Sequence, residues 1–244
     1  MGNLLWAELQ KIRRSNIVWI TIFATVMVAV IVFIQGWFTY NGSRDIDSAG
    51  WYMTTAQPLA TIFVLPAVIS LLGSYMICRE EDEDTIKSLL LIPVNERKLI
   101  AAKMIITFLF SIFIYLLLFA IAFLTEVILH LSDLSVGMVL DFLKIYFLLG
   151  VGIFLAISPI IALVSYMKKG CWITLLLTEM YSFAGMFMSM SNNLKTFYPI
   201  TAAFGVAGYY EATAQNRIES IIILLLCGCL SVFILKDFKY SEKN

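Results

Sequence analysis

Glu179 is the one carboxylate placed well inside a long apolar run, residues 171–190, with Thr178, Tyr181 and Ser182 beside it and Met180, Phe183 and Phe187 following. A charge at such depth costs about 2.5 to 3.5 kcal/mol to insert, so the group faces other protein or a wet cavity, or carries a proton. It can contact a substrate, hold a cation or relay protons; equally, it can be a structural glutamate satisfied by its hydroxyl neighbours. Met180, Phe183 and Phe187 offer an adaptable surface for an apolar ligand, or ordinary helix packing. His130 is the sole histidine, which excludes multi-histidine zinc chemistry and an H-E-x-x-H site, and no metal site is expected. Glu126, at the outer end of the third apolar run, reads as an interfacial acid. Cys78, Cys171, Cys227 and Cys229 all lie in or beside apolar runs and suggest packing, with no disulfide framework. No G-x-x-x-x-G-K-[ST] loop occurs, so the chain has no evident means of cradling nucleotide phosphates and is not expected to be an enzyme.

The other candidate is a stretch for protein contact. Residues 79–103 read R-E-E-D-E-D-T-I-K-S-L-L-L-I-P-V-N-E-R-K-L-I-A-A-K, densely charged between two apolar runs. Asp84 or Thr85 can cap a short helix, and the preceding acids suit the positive end of its dipole. Ile86, Leu89 and Leu90 share one face with Leu91 beside them, while Lys87 and Ser88 lie between, and Pro93 ends the helix. On periodicity alone this amphipathic helix either lies on lipid or docks into a soluble partner.

The elements that position these residues belong to a membrane. Hydrophobic residues make up 61% of the 244-residue chain and charged ones 14%, against about 25% charged in soluble domains. Equal numbers of basic and acidic residues, 17 each, give no indication of nucleic-acid binding. We expect an all-α integral membrane protein, one transmembrane domain over 1–244, with spans at about 17–38, 57–78, 104–125, 145–166, 171–190 and 218–235. Residues 1–16 suit an interfacial helix, and 17–38 is too long for a signal-peptide core. Pro66 is expected to bend the second span and Pro159 to break or kink the fourth. Residues 39–56 read as a loop, as do 126–140, the latter with room for a surface helix.

Between the last two spans, 191–217 contains F-Y-P-I-T-A-A-F-G-V-A-G-Y-Y, apolar but too short to cross. It either enters the membrane and returns, shielded by protein, or lies at the surface. With the amino terminus inside, Lys11, Arg13, Arg14, Arg79, Lys87, Arg97, Lys98, Lys103, Lys168, Lys169, Lys236, Lys239 and Lys243 fall on the cytoplasmic side. Only Arg44, Lys144, Lys195 and Arg217 fall opposite, which predicts both termini in the cytoplasm.

The acidic run, T-I-K-S-L-L, I-P-V-x-x-R-K and the lysine opening the next span resemble the coupling-helix loop of ABC-2 type transporter permeases. The resemblance extends over the amphipathic start, the six spans and the interrupted segment before the sixth. Within that family, the small size and the opening from Leu5 to Ser15 look most like the lantibiotic-immunity and bacitracin-resistance group. The resemblance implies that Asp84, Thr85, Ile86, Lys87, Ser88, Leu89, Leu90 and Leu91 dock into a separate ABC ATPase subunit. ATP and Mg would bind on that subunit, with no cofactor on this chain. It also implies a second permease protomer, identical or a sister chain, a path near Glu179, Met180, Phe183 and Phe187, and an outer gate at Phe197, Tyr198, Pro199 and Phe204. The setting would be a bacterial plasma membrane. Export of a peptide antibiotic is the leading expectation; a sodium ion, lipid or polysaccharide cargo, or an ATP-independent secondary transporter, are the alternatives.

Overall fold

Long apolar segments in a chain with few turn signals leave helices as the only way to satisfy the backbone in lipid, and the computed structural model is built from ten of them among the residues it describes, 2–13, 15–40, 43–82, 96–164, 166–167, 171–191 and 194–236. Helix α1 (Gly2–Arg13) leads through Ser15, whose hydroxyl accepts from the Ile17 N–H as an N-cap, into α2 (Asn16–Trp37). A two-stranded hairpin, β1 (Thr39–Tyr40) with β2 (Ser43–Arg44), pairs Thr39 with Arg44 and Tyr40 with Ser43. Then come α3 (Trp51–Phe63), α4 (Leu65–Asp82), α5 (Glu96–His130), α6 (Val136–Val164) and α7 (Cys171–Met188). Two short helices, α8 (Leu194–Phe197) and α9 (Pro199–Ala207), precede α10 (Ala214–Lys236).

Among the described residues, four helices are long and apolar enough to cross a membrane: α2, α5, α6 and α10. A fifth crossing results if α3 and α4, bent by 48° at their junction, count as one broken span. Helix α7 is apolar but shorter, its apolar part covering Trp172–Met188. The bend falls at Val64, whose φ of −136° and ψ of −57° leave the helical region. Pro66 accounts for it, because the ring lacks the N–H that would reach the Ile62 carbonyl and crowds the turn before it.

Several expected boundaries shift. Helix α3 begins at Trp51, so the last part of the expected loop 39–56 is helical, started by Gly50 at φ 83° where a side chain would be strained. Both flanks of the expected 79–103 loop are helical, through Asp82 and from Glu96. The expected loop 126–140 is largely helix, leaving only a short link between His130 and Val136. Of the break or kink expected at Pro159 there is no break: α6 runs through it as one helix. The carbonyl that Pro159 cannot serve is that of Leu155, and the Ser158 hydroxyl donates to it at 2.9 Å, restoring the missing bond.

Helix α6 forms the centre, packed by α4, α5, α9 and α10. Close approach is made with glycine: a Cβ on Gly152 would lie 2.9 Å from Ala203 Cβ of α9, and one on Gly150 would lie 3.0 Å from Ile112 Cα of α5. Ser111 ties the second crossing with a 2.8 Å bond to the Gly150 carbonyl.

Candidate functional site

The strongest polar chemistry lies where α1 meets α4 and α5. Lys103, expected in an aqueous loop, is instead inside α5 with 1% of its surface exposed. Its ammonium donates to the Met76 carbonyl of α4 and lies 3.8 Å from Glu8 Oε2. Glu8 of α1 is 3% exposed and also accepts from Lys11 Nζ at 2.7 Å. Arg79 Nη1 donates to the Lys11 carbonyl at 3.4 Å, and Tyr75, Ile12 and Met76 complete a small cleft among these groups. The amphipathic helix therefore turns Glu8 and Ile12 inward and leaves Trp6 and Leu9 exposed. An ammonium and a carboxylate this deep require each other, because either alone carries a large desolvation penalty. The cluster sits on the two helices that flank residues 83–95. The candidate docking residues Asp84 to Leu91 lie outside the described residues.

A second buried acid lies near the far end of α5. Glu126, read from sequence as interfacial, is fully buried. Its Oε1 accepts the Gly50 N–H and lies 3.2 Å from His130 Nδ1. The carboxylate thus satisfies the backbone N–H of the residue that starts α3 from another helix. Tyr52 donates to the Ala29 carbonyl at 2.6 Å and Tyr146 to the Met53 carbonyl at 2.8 Å, fastening the first turn of α3 to α2 and α6.

Glu179 is half-buried on α7, and its Oε2 is buried without a hydrogen-bond partner among the described residues. Thr178 Oγ1 and Ser182 Oγ are in the same condition, so the hydroxyls expected to satisfy the acid do not do so. Met180 is 72% exposed, and Phe183 and Phe187 are also exposed, stacked edge-on at 5.5 Å between centroids. Phe183 also meets Phe63, the last residue of α3, at 6.1 Å. These side chains form an outward stripe on α7 beside the α3–α4 bend.

The four candidate gate residues are divided. Phe197 is exposed at the end of α8, whereas Phe204 on α9 is fully buried against Tyr209 and Tyr210 at 5.2 and 5.7 Å. Tyr198 donates to the Tyr181 carbonyl of α7 at 2.5 Å, and Pro199 opens α9, where its missing N–H is harmless. Ser220 of α10 donates to the Thr196 carbonyl, so the short helices are held from three sides. Burial raises the Tyr210 phenol above its ordinary range, Tyr209 adds to this, and a bond with Ser189 opposes it. Among the described residues no three histidines, cysteines or acids are placed to hold a metal ion, and no disulfide joins Cys78, Cys227 and Cys229.

A helical chain with four or five crossings, buried ions between its helices and apolar side chains outward is a polytopic integral membrane protein. Residues 4–185, well over half the chain, match the model of the ABC-2 family transporter protein, and the chain belongs to that family. It is accordingly a membrane permease of an ABC transporter, a transmembrane subunit that works with an ABC ATPase. No curated protein matches it significantly.

Proposed function

We propose that this chain is the membrane subunit of an ATP-driven exporter that protects a bacterial cell from a peptide antibiotic of the bacitracin or lantibiotic type. The observation that carries the reading is the place of the one densely charged segment, 79–103, at the passage from α4 to α5 in an ABC-2 permease. In this reading Asp84, Thr85, Ile86, Lys87, Ser88, Leu89, Leu90 and Leu91 dock into the ATPase, which holds ATP and Mg. The broken pair α3–α4 and the short α7 serve as the second and fifth of six crossings. Both termini are cytoplasmic, by the excess of Lys and Arg on that side. Two protomers, identical or sister chains, enclose a path along Glu179, Met180, Phe183 and Phe187. Phe197, Tyr198, Pro199 and Phe204 close its outer end, and ATP binding shifts the protomers as rigid bodies to open it. An amphiphilic peptide would leave the membrane by the Met- and Phe-rich side of α7.

The test is a susceptibility panel with bacitracin and a lantibiotic, in cells expressing the chain with the ATPase encoded beside it, intact or with its phosphate-binding lysine replaced. Protection only with the intact motor supports the reading. Equal susceptibility, with insertion and ATPase association verified, overturns the antibiotic assignment and directs the search to sodium-ion, lipid or polysaccharide cargo.

A further inference from the structure

Helix α5 alone, among the described helices longer than one turn, contains neither proline nor glycine. Its 35 residues span about 52 Å at ~1.5 Å per residue. The pair α3–α4 runs beside it in the opposite state, broken by 48° at Val64. The two ends of that broken pair are fastened to the same straight helix. At one end Lys103 of α5 donates to the Met76 carbonyl of α4, with Glu8 of α1 balancing the charge. At the other, Glu126 of α5 accepts the Gly50 N–H at the start of α3, with His130 beside it. Near the break, Tyr115 of α5 bonds the Thr61 hydroxyl at 3.0 Å.

Lys103 and Glu126 lie about 35 Å apart along the axis. A bent pair tied at both ends to a rigid member cannot change its angle unless a tie yields or slides. Fully buried charges are an expensive way to make such ties, since apolar residues pack as stably; what they supply is a fixed register.

We propose that α5 is a strut for a hinged α3–α4 pair, and that Lys103, with its counter-ion Glu8, and Glu126 are positioning residues that set the hinge angle. Met76 lies six residues before the last residue of α4 and Lys103 seven after the first of α5. A displacement of residues 83–95 by a docked partner is therefore delivered to the first tie. The hinge turns it into a movement of the first turn of α3 at the far end. The inference rests on the ATPase-docking reading for its driving force.

The test is amide hydrogen exchange over Trp51 to Thr54 in the permease bound to its ATPase in lipid nanodiscs, with and without a non-hydrolysable ATP analogue. In the native complex the analogue is expected to change exchange there about tenfold. Glu8→Gln with Lys103→Met removes the first tie together with both of its buried charges, and Glu126→Leu removes the second. Each should abolish the nucleotide response, and all three substitutions together should abolish no more than either set. Glu126→Gln, which still accepts the Gly50 N–H, should retain it. Losses in unfolding stability should add, because the two sites are far apart.

A nucleotide response that survives loss of either tie overturns the strut, as does an intermediate response in each variant that multiplies in the combination. Leu89→Asp separates the two readings: if it keeps both ATPase association and the response, docking through this segment is refuted whatever the tie variants do. If it loses both while the tie variants respond like the native complex, docking stands and the strut alone falls.

Discussion

Replacing Lys103 by methionine is the sharpest test of the packing at the α1 end. The side chain has 1% exposure, and its ammonium meets the Met76 carbonyl and, at 3.8 Å, Glu8 Oε2. Breaking a buried pair from one side typically costs about 3 to 5 kcal/mol, because the remaining charge is stranded. Here Glu8 keeps Lys11 at 2.7 Å, and the Lys11 side chain is 41% exposed, so that remaining bond is screened. The expected loss is therefore near the lower limit, about 3 kcal/mol. Glu8→Gln alone leaves the ammonium its carbonyl partner and should cost about 2 kcal/mol. The double variant buries methionine beside a neutral amide and should lose only about 2 to 3 kcal/mol in all, giving a coupling of roughly 2 kcal/mol. Equilibrium unfolding in mixed micelles of rising SDS fraction measures all four corners of the cycle. A Lys103→Met loss below about 0.5 kcal/mol, or strict additivity, would refute the claim that these two charges depend on each other.

Further substitutions test other contacts. Gly152→Val drives a side chain into Ala203, 2.9 Å from the built Cβ, and should cost about 1 to 3 kcal/mol by the same unfolding measurement. Gly137→Val, with nothing within 4 Å, should stay within about 0.5 kcal/mol of the native chain. Ser158→Ala removes the donor to the Leu155 carbonyl beside Pro159 and should cost about 1 to 2 kcal/mol, whereas Ser158→Thr, which keeps the hydroxyl, should lose less. Glu179→Gln should leave stability unchanged or slightly raised, because Oε2 has no partner to lose, while reducing ATP-dependent protection in the susceptibility panel. Undiminished protection would remove Glu179 from the proposed path.

What could be read from the sequence, and what could not, divides along a physical line. The helical class and the apolar segments rest on runs of side chains that lipid selects one by one, so each residue contributes its own evidence, whereas the ABC-2 resemblance rests on the charged stretch 79–103 and the order of the segments around it. The bend near Pro66 rests on a missing N–H, also a property of one residue. Pro159 shows where that logic ends, because Ser158 supplies the absent donor locally and the helix continues. Lys103, Glu8 and Glu126 were misplaced for a related reason. A charge at the edge of an apolar run reads as solvated when its partner is unknown, and the partners come from far along the chain: Met76 and Glu8 for Lys103, Gly50 for Glu126. The one local sign was spacing, with His130 one turn after Glu126 on the same face of a helix. Composition scales therefore assign such groups to water, although three-dimensional pairing inverts the assignment. It follows that in this fold an acid or lysine at a span boundary is better tested as a tie between helices than counted as a loop charge. Moving Lys103 from the loop tally to the interior takes one residue from the thirteen Lys and Arg that the proposed orientation puts inside, against four outside, and leaves the sign of the bias unaltered.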